Sequence, residues 1–173
     1  MKEIEPTPAC DLQLSGRSIP ELFDMYTAIG DELRQRGIMR TSNNLVGDLA
    51  EYIFSKAMGW TLERNSKEAI DAVDPKGTRY QIKGRRLTPQ NPSRQLGALR
   101  KLDTDNFDML AAVLFNPDYS VQRAILLPCK QVLAHATYID EHKLWKFMLT
   151  DDKWHLPEAQ DVTEQLRAVN WAV

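Results

Sequence analysis

Residues 69–86 read A-I-D-A-V-D-P-K-G-T-R-Y-Q-I-K-G-R-R. Two short segments containing Ile, Val and Tyr flank Asp74-Pro75-Lys76-Gly77, a tetrad with the residues that a type I turn prefers at its first, second and fourth positions. The stretch therefore predicts a β-hairpin. With Pro75-Lys76-Gly77 as its loop, Gly77 takes the left-handed conformation, Asp74 pairs with Thr78, and counting back along both strands sets Asp71 opposite Gln81. Side chains alternate along a strand, so Arg79, Gln81 and Lys83 point one way while Thr78, Tyr80 and Ile82 point the other. One face of the hairpin gathers Asp71, Gln81 and Lys83.

That grouping has a chemical meaning. A carboxylate and an amide oxygen on adjacent strands are hard oxygen ligands of the kind Mg²⁺ takes, with water and substrate phosphate completing the octahedron. Lys83, two residues beyond Gln81, lies on the same side, where an ammonium steadies an attacking hydroxide or the charge growing on phosphorus. The metal's part is to acidify bound water and polarise the phosphoryl oxygen. The trio would suffice for a one-metal phosphodiesterase. The same spacing also fits an exposed hairpin whose Asp and Lys form a surface pair worth about 0 to 1 kcal/mol.

The pattern D-x9-Q-x-K on a hairpin, preceded by a helix carrying Glu, resembles the PD-(D/E)XK nuclease superfamily, the fold of many restriction enzymes and Holliday-junction resolvases. The resemblance covers roughly residues 45–115 and rests on a short motif. It implies that Asp71 is the metal-binding aspartate, Gln81 the acidic position of the second half-motif, Lys83 the catalytic lysine and Glu51 the glutamate of the first core helix. It also implies Mg²⁺ or Mn²⁺ as cofactor and DNA as substrate. Ile70 stands where the name-giving proline would be, and Gln81 replaces Asp or Glu, as in the Mrr-like branch. The second departure removes one negative charge, which Glu51 would have to supply.

The 22 basic and 24 acidic residues give a net charge of −2 that conceals an uneven distribution. Between Pro75 and Leu102 lie eight basic residues (Lys76, Arg79, Lys83, Arg85, Arg86, Arg94, Arg100 and Lys101) and no Asp or Glu, so this segment is +8 and the remainder −10. Positive charge on and just after the hairpin favours a polyanionic partner. Arg79, Arg85, Arg86, Arg94, Arg100 and Lys101 are the candidate DNA-binding residues. A solvated basic loop is the plainer explanation of the same run.

A chain of 173 residues with 43% hydrophobic content is near the usual domain size and can bury a real core. The longest uninterrupted apolar run, residues 109–115, is far too short to span a membrane, and the opening M-K-E-I-E-P-T-P has no apolar signal region, so the expected location is cytoplasmic. Cys10 and Cys129 are far apart and suggest neither a disulfide framework nor a zinc site. His135, His142 and His155 lack metal-ligand spacing. No phosphate-cradling glycine loop, G-x-S-x-G or heptad run is present, so a nucleotide cofactor, serine hydrolysis and coiled-coil assembly have no support.

Taken in order, residues 1–16 read as a loose tail and 17–37 as an N-terminal helix, with Ser18 as cap, Pro20 and Glu21 in its first turn and Gly37 as stop. Leu22, Met25, Tyr26, Ile29 and Leu33 form an apolar stripe expected to pack. Arg40, in the connection that follows, is within reach of a phosphate. Residues 43–58 predict a second helix stopped by Gly59, with Leu45, Val46, Leu49, Ala50, Ile53, Phe54 and Ala57 inward and Asn44, Asp48, Glu51 and Ser55 outward. Residues 60–63 suggest a short strand, 87–93 a loop and 94–102 a short helix. Residues 107–115 and 121–127 are strands joined by Asn116-Pro117-Asp118, and Asp105 and Asp108 precede the first of them. Beyond Pro128 the pattern gives a helix over 129–136, a strand over 144–149 and a last helix over 162–169 capped by Asp161; Trp145, Trp154 and Trp171 read as packing anchors.

The expected architecture is α/β, one restriction-endonuclease-like domain with a mixed central β-sheet flanked by helices, its core at 43–127 and a C-terminal α/β extension at 128–173. The expected function is metal-dependent hydrolysis of DNA phosphodiesters. Two other readings stay open: a catalytically weak or inactive DNA-binding module on the same fold, and a subunit of a larger restriction or repair assembly. A homodimer is compatible with the resemblance, though no dimer motif stands out.

Overall fold

The computed structural model describes residues 14–41, 44–63, 70–104 and 106–170. Most of the predicted tail, with Cys10, and also Asn43, Ala69, Asp105 and Trp171 lie outside the described residues.

Two helices come first. α1 spans Ile19–Gln35, and its start is a complete capping box: Ser18 accepts from the Glu21 N–H, and the Glu21 carboxylate accepts from the Ser18 N–H at 2.8 Å. α2 spans Leu45–Met58, with Asn44 accepting from the Gly47 N–H at 3.1 Å and Gly59 closing the helix at φ +68°. The predicted stops at Gly37 and Gly59 are observed, both with positive φ.

The strands β1 (Thr61–Leu62), β2 (Ala72–Val73), β3 (Arg79–Arg86), β4 (Met109–Phe115), β5 (Val121–Pro128) and β8 (Gln160–Asp161) form one six-stranded sheet in the order β1-β2-β3-β4-β5-β8. β3 and β4 run parallel and every other neighbouring pair is antiparallel, so the sheet is mixed. The turn inside the hairpin has the expected form: the Asp74 N–H donates to the Thr78 carbonyl at 3.1 Å, and Gly77 adopts φ +87°. The register pairs Ala72 with Tyr80 and Val73 with Arg79, as counted from the sequence.

Both faces of this sheet are covered. On one, α2 and the short α4 (Thr163–Arg167) bury Leu49, Ala50, Ile53, Phe54 and Leu166 against Tyr80, Ile82, Ala111, Val113 and Leu126. On the other, α3 (Cys129–His135) and two irregular segments bury Val132, Leu96, Leu99, Leu102, Phe147 and Leu149 against Leu110, Ala112, Leu114, Ile125 and Leu127. The near-continuous apolar composition of β4 follows from this double cover. The fold is thus α/β with a mixed central sheet flanked by helices.

Gly84 in β3 fixes how closely α2 approaches the sheet. A Cβ there would lie 2.7 Å from the Val46 carbonyl oxygen and 3.0 Å from the Ala50 Cβ, so only glycine admits the helix backbone at this depth. Gly84→Ala is expected to cost about 1–3 kcal/mol. Urea denaturation should show a lower midpoint at unchanged slope.

Several expectations need correction. Residues 94–102 form no helix; the segment is extended, making isolated bridges from Gln95 to Met148 and from Leu99 to Trp145, because Leu96, Leu99 and Leu102 are each drawn into the core. The strand expected over 144–149 is limited to β7 (Leu144–Lys146), which pairs with β6 (Thr137–Ile139) in a separate two-stranded sheet. Asp161 is a strand residue, and Val162 occupies the cap position of α4; the Asp161 carboxylate nevertheless accepts from the Thr163 N–H at 3.0 Å. The apolar stripe of α1 does not pack as expected: none of the helix is buried, with Tyr26 75% and Phe23 66% exposed. Asp48, read as outward-facing, is buried. Among the described residues no helix is long and apolar enough to cross a membrane.

Candidate functional site

The site forms where the β1–β2 edge of the sheet meets the first half of α2. β2 is only two residues long, and its ladder to β3 breaks at Asp71. There the Asp71 N–H donates to the Tyr80 carbonyl at 2.8 Å, while its Oδ2 accepts from the Ile82 N–H at 2.7 Å. The carboxylate thus takes a main-chain donor of β3 and is held against that strand. The paired register ends with Ala72 opposite Tyr80, and the Asp71 N–H on that same Tyr80 carbonyl takes Asp71 out of the count that would set it opposite Gln81. Tyr80 and Ile82 belong to the core under α2, so alternation along β3 turns Gln81 and Lys83 to the other side, and Asp71 meets this stretch of β3 through the Ile82 N–H and the Lys83 charge.

Gln81 is 5% exposed, and its Oε1 has no hydrogen-bond partner. A buried amide oxygen left without a donor costs about 1–3 kcal/mol, so such an atom invites a donor or a cation. The Lys83 ammonium makes no hydrogen bond or ion pair with a described residue, yet its charge acts on the Asp71 carboxyl. Among the described residues no three His, Cys, Asp or Glu side chains gather about one point. Two other carboxylates, Asp71 and Asp48, act on Glu51, and Asp71 is bonded to the Ile82 N–H, next along β3 from Gln81.

Glu51 faces the site from α2. Burial pushes its carboxyl above the ordinary value and the nearby Asp71 charge pushes it further, while Arg40 pulls it back. Burial likewise raises Asp71, against the Ile82 N–H, Lys83 and Arg40, which lower it. Two electrostatically coupled carboxylates that are both harder to ionise than in water, chiefly through burial, mark a candidate functional site. With both raised, their ionised forms oppose folding: this cost is absent below the ordinary carboxylate range and sets in as pH rises through the folded values.

Two residues of this arrangement take roles that the sequence reading does not give them, since it puts Arg40 within reach of a phosphate and turns Asp48 outward. Arg40 Nη1 donates to Glu51 Oε2 at 2.7 Å, and its Nη2 to the Glu63 carbonyl at 2.6 Å, so one guanidinium ties α2 to the chain just after β1. Asp48, 3% exposed, accepts from the Arg40 N–H at 3.0 Å, the Thr41 N–H at 2.8 Å and the Thr41 hydroxyl at 2.8 Å. The available signal was an acidic residue in the first turn of a helix, preceded by a hydroxyl residue and exposed main-chain N–H groups.

The candidate phosphate-binding cations fare unevenly. Arg79 is joined to Asp108 through Nη2 at 2.8 Å and Nε at 3.2 Å, and the same carboxylate accepts the Arg79 N–H at 2.7 Å; Asp108 therefore anchors the entrance to β3 and is no site carboxylate. Arg94 pairs with Asp151 at 2.7 Å. Arg85 donates to the Ser93 carbonyl and to Asn91 Oδ1, and Arg86 donates to the Pro117 carbonyl and stacks 4.2 Å over the Tyr119 ring. These last two hold loops in place, and the Arg86 charge also acts on Asp118. Arg100 and Lys101 are exposed: Leu99 and Leu102 on either side are buried, and Lys101 adopts φ +51°, so the intervening pair is turned outward. Compared with known proteins, the chain matches no family model and no curated protein sequence.

Proposed function

We propose that the protein is a metal-dependent nuclease that hydrolyses DNA phosphodiesters at the Asp71, Gln81, Lys83 and Glu51 cluster. The observation that carries this reading is the buried, unpartnered Gln81 Oε1 together with the Lys83 ammonium on the same side of β3, which bonds to no described residue while its charge acts on the Asp71 carboxyl. The donor set fits Mg²⁺ or Mn²⁺: Asp71 and Gln81 would hold it from adjacent strands, and Glu51 supplies the charge that an amide at position 81 does not. When bound, the ion supplies Lewis acidity to a phosphoryl oxygen and acidity to a water. Lys83 opposes the negative charge that grows on the phosphoryl group. Arg100 and Lys101 offer phosphate contacts on the DNA flanks, with Arg85 and Arg86 adding charge nearer the site.

Asp71→Asn tests the reading. The amide keeps an acceptor for the Ile82 N–H and removes the charge. Calorimetric titration should lose the heat of Mn²⁺ binding, plasmid nicking should fall to background, and the thermal midpoint at neutral pH in EDTA should stay level or rise, because a raised carboxylate no longer has to ionise in place. Unchanged nicking by a folded Asp71→Asn variant rejects the assignment.

A binding module without catalysis is the second reading, favoured by the Arg40 guanidinium already seated on Glu51. DNA affinity would then persist in EDTA and fall with salt at a log-log slope of about −0.9 per phosphate neutralised.

A further inference from the structure

Arg40 lies outside the motif that identifies the cluster, but its side chain reaches both of its walls. Its fork spans Glu51 Oε2 on α2 and the Glu63 carbonyl beside β1, and the Glu63 N–H in turn donates to the Asp71 carbonyl at 2.9 Å. Its charge is felt at both Glu51 and Asp71. Asp48, whose charge also acts on Glu51, joins Glu51 and Asp71, so three carboxylates stand against Arg40 and Lys83. A divalent cation held by Glu51 and Asp71 would bring two further positive charges, which with Lys83 alone balance the three carboxylates, and it would contend with Arg40 for the same Glu51 oxygen.

Resting on the nuclease reading, we propose that Arg40 is an exchangeable counter-ion: it neutralises Glu51 while no divalent cation is bound and yields that carboxylate when one binds. The geometry permits the exchange. The Arg40 side chain is 34% exposed, and a long, partly solvated guanidinium can swing outward without opening the core. Its backbone would stay, because the Arg40 N–H is fixed separately by Asp48. The released guanidinium would then lie at the rim of the cluster, placed to meet a phosphate oxygen of the substrate.

The proposal makes a directional claim that a merely structural role does not. Loss of a structural clamp weakens metal binding, whereas loss of a competing cation strengthens it. The experiment is calorimetric titration of Mn²⁺, without DNA, into wild type, Arg40→Gln, Arg40→Lys, Glu51→Gln and the Arg40→Gln/Glu51→Gln pair, with circular dichroism to confirm folding. Arg40→Gln should bind Mn²⁺ more tightly, by up to about five-fold for a pair of this exposure. Arg40→Lys, which keeps the charge but cannot span two acceptors, should fall between it and wild type. In the Glu51→Gln background the Arg40 substitution should have a clearly smaller effect, since only its charge on Asp71 remains to be lost.

A folded Arg40→Gln that binds Mn²⁺ equally or more weakly overturns the proposal and leaves the nuclease reading standing. If Arg40→Gln does not fold, Arg40→Lys decides by the same comparison. Absence of Mn²⁺ binding in wild type and every variant overturns both readings, whereas binding in Arg40→Gln alone supports the exchange in its strongest form.

Discussion

Lys83→Ala should leave the fold and the metal affinity nearly intact and lower DNA cleavage by about 10²–10³-fold, the usual effect of removing one preorganised charge from a phosphoryl-transfer site. The expectation of an undisturbed fold comes from the structure: Lys83 is half-buried, bonds to no described residue, and sits on the side of β3 away from α2. The expectation for the metal comes from chemistry, since an ammonium is no ligand; removing its charge beside Asp71 should, if anything, favour a cation. Single-turnover cleavage at saturating Mn²⁺, with calorimetry on the same samples, separates the two effects. A variant that cuts at the wild-type rate removes Lys83 from the mechanism; one that loses Mn²⁺ heat shows that its contribution was to the shape of the site.

Asp48→Ala should be the most damaging substitution of a polar residue, at about 2–3 kcal/mol of unfolding free energy. This carboxylate is nearly sealed from solvent and accepts three hydrogen bonds from Arg40 and Thr41. Alanine would leave two main-chain N–H groups without their acceptor and release the segment that brings Arg40 to Glu51. Asp48→Asn keeps the shape but offers a neutral acceptor, and should recover roughly half of the loss. Chemical denaturation of the three proteins measures the series. A fully stable Asp48→Ala would mean that water replaces the carboxylate without cost.

The hairpin was legible because its signals are local. Gly77 can adopt positive φ where Asp74-Pro75 sets up the turn, and once the loop length is known the pairing of residues 72–73 with 79–80 follows by counting, although the count fails at Asp71, whose N–H stays on the Tyr80 carbonyl. β4 and β5 were legible from their apolar runs, and the caps of α1 and α2 from Ser18, Gly37 and Gly59. What remained hidden depends on partners distant in sequence. Leu96, Leu99 and Leu102 have a spacing that suits a helix, yet the edge they meet at Trp145–Met148 makes them extended. Periodicity placed Asp48 on the outer side of α2, but periodicity knows nothing of the loop that folds over it. Arg79 read as a free cation until Asp108, 29 positions away, closed on it with two nitrogens of its guanidinium. Most of the cluster could be read from the chain, while its electrostatic balance could not, because Arg40 reaches Glu51 through tertiary geometry alone.

The exposure of α1 has a consequence for motion. Its 17 residues are held by a capping box and by i,i+4 pairs such as Arg36 with Glu32, without one buried side chain, and an isolated helix of this length is marginal in water. Among the described residues its last turn is tied down, where the Leu33 carbonyl accepts from the Ile38 and Met39 N–H groups and Met39 is buried. Its amide protons should therefore exchange with deuterated solvent in a gradient, fastest near Phe23 and slowing toward Leu33, by fraying that leaves the sheet intact. The amides of Ile53 and Phe54 would exchange only when the whole domain opens.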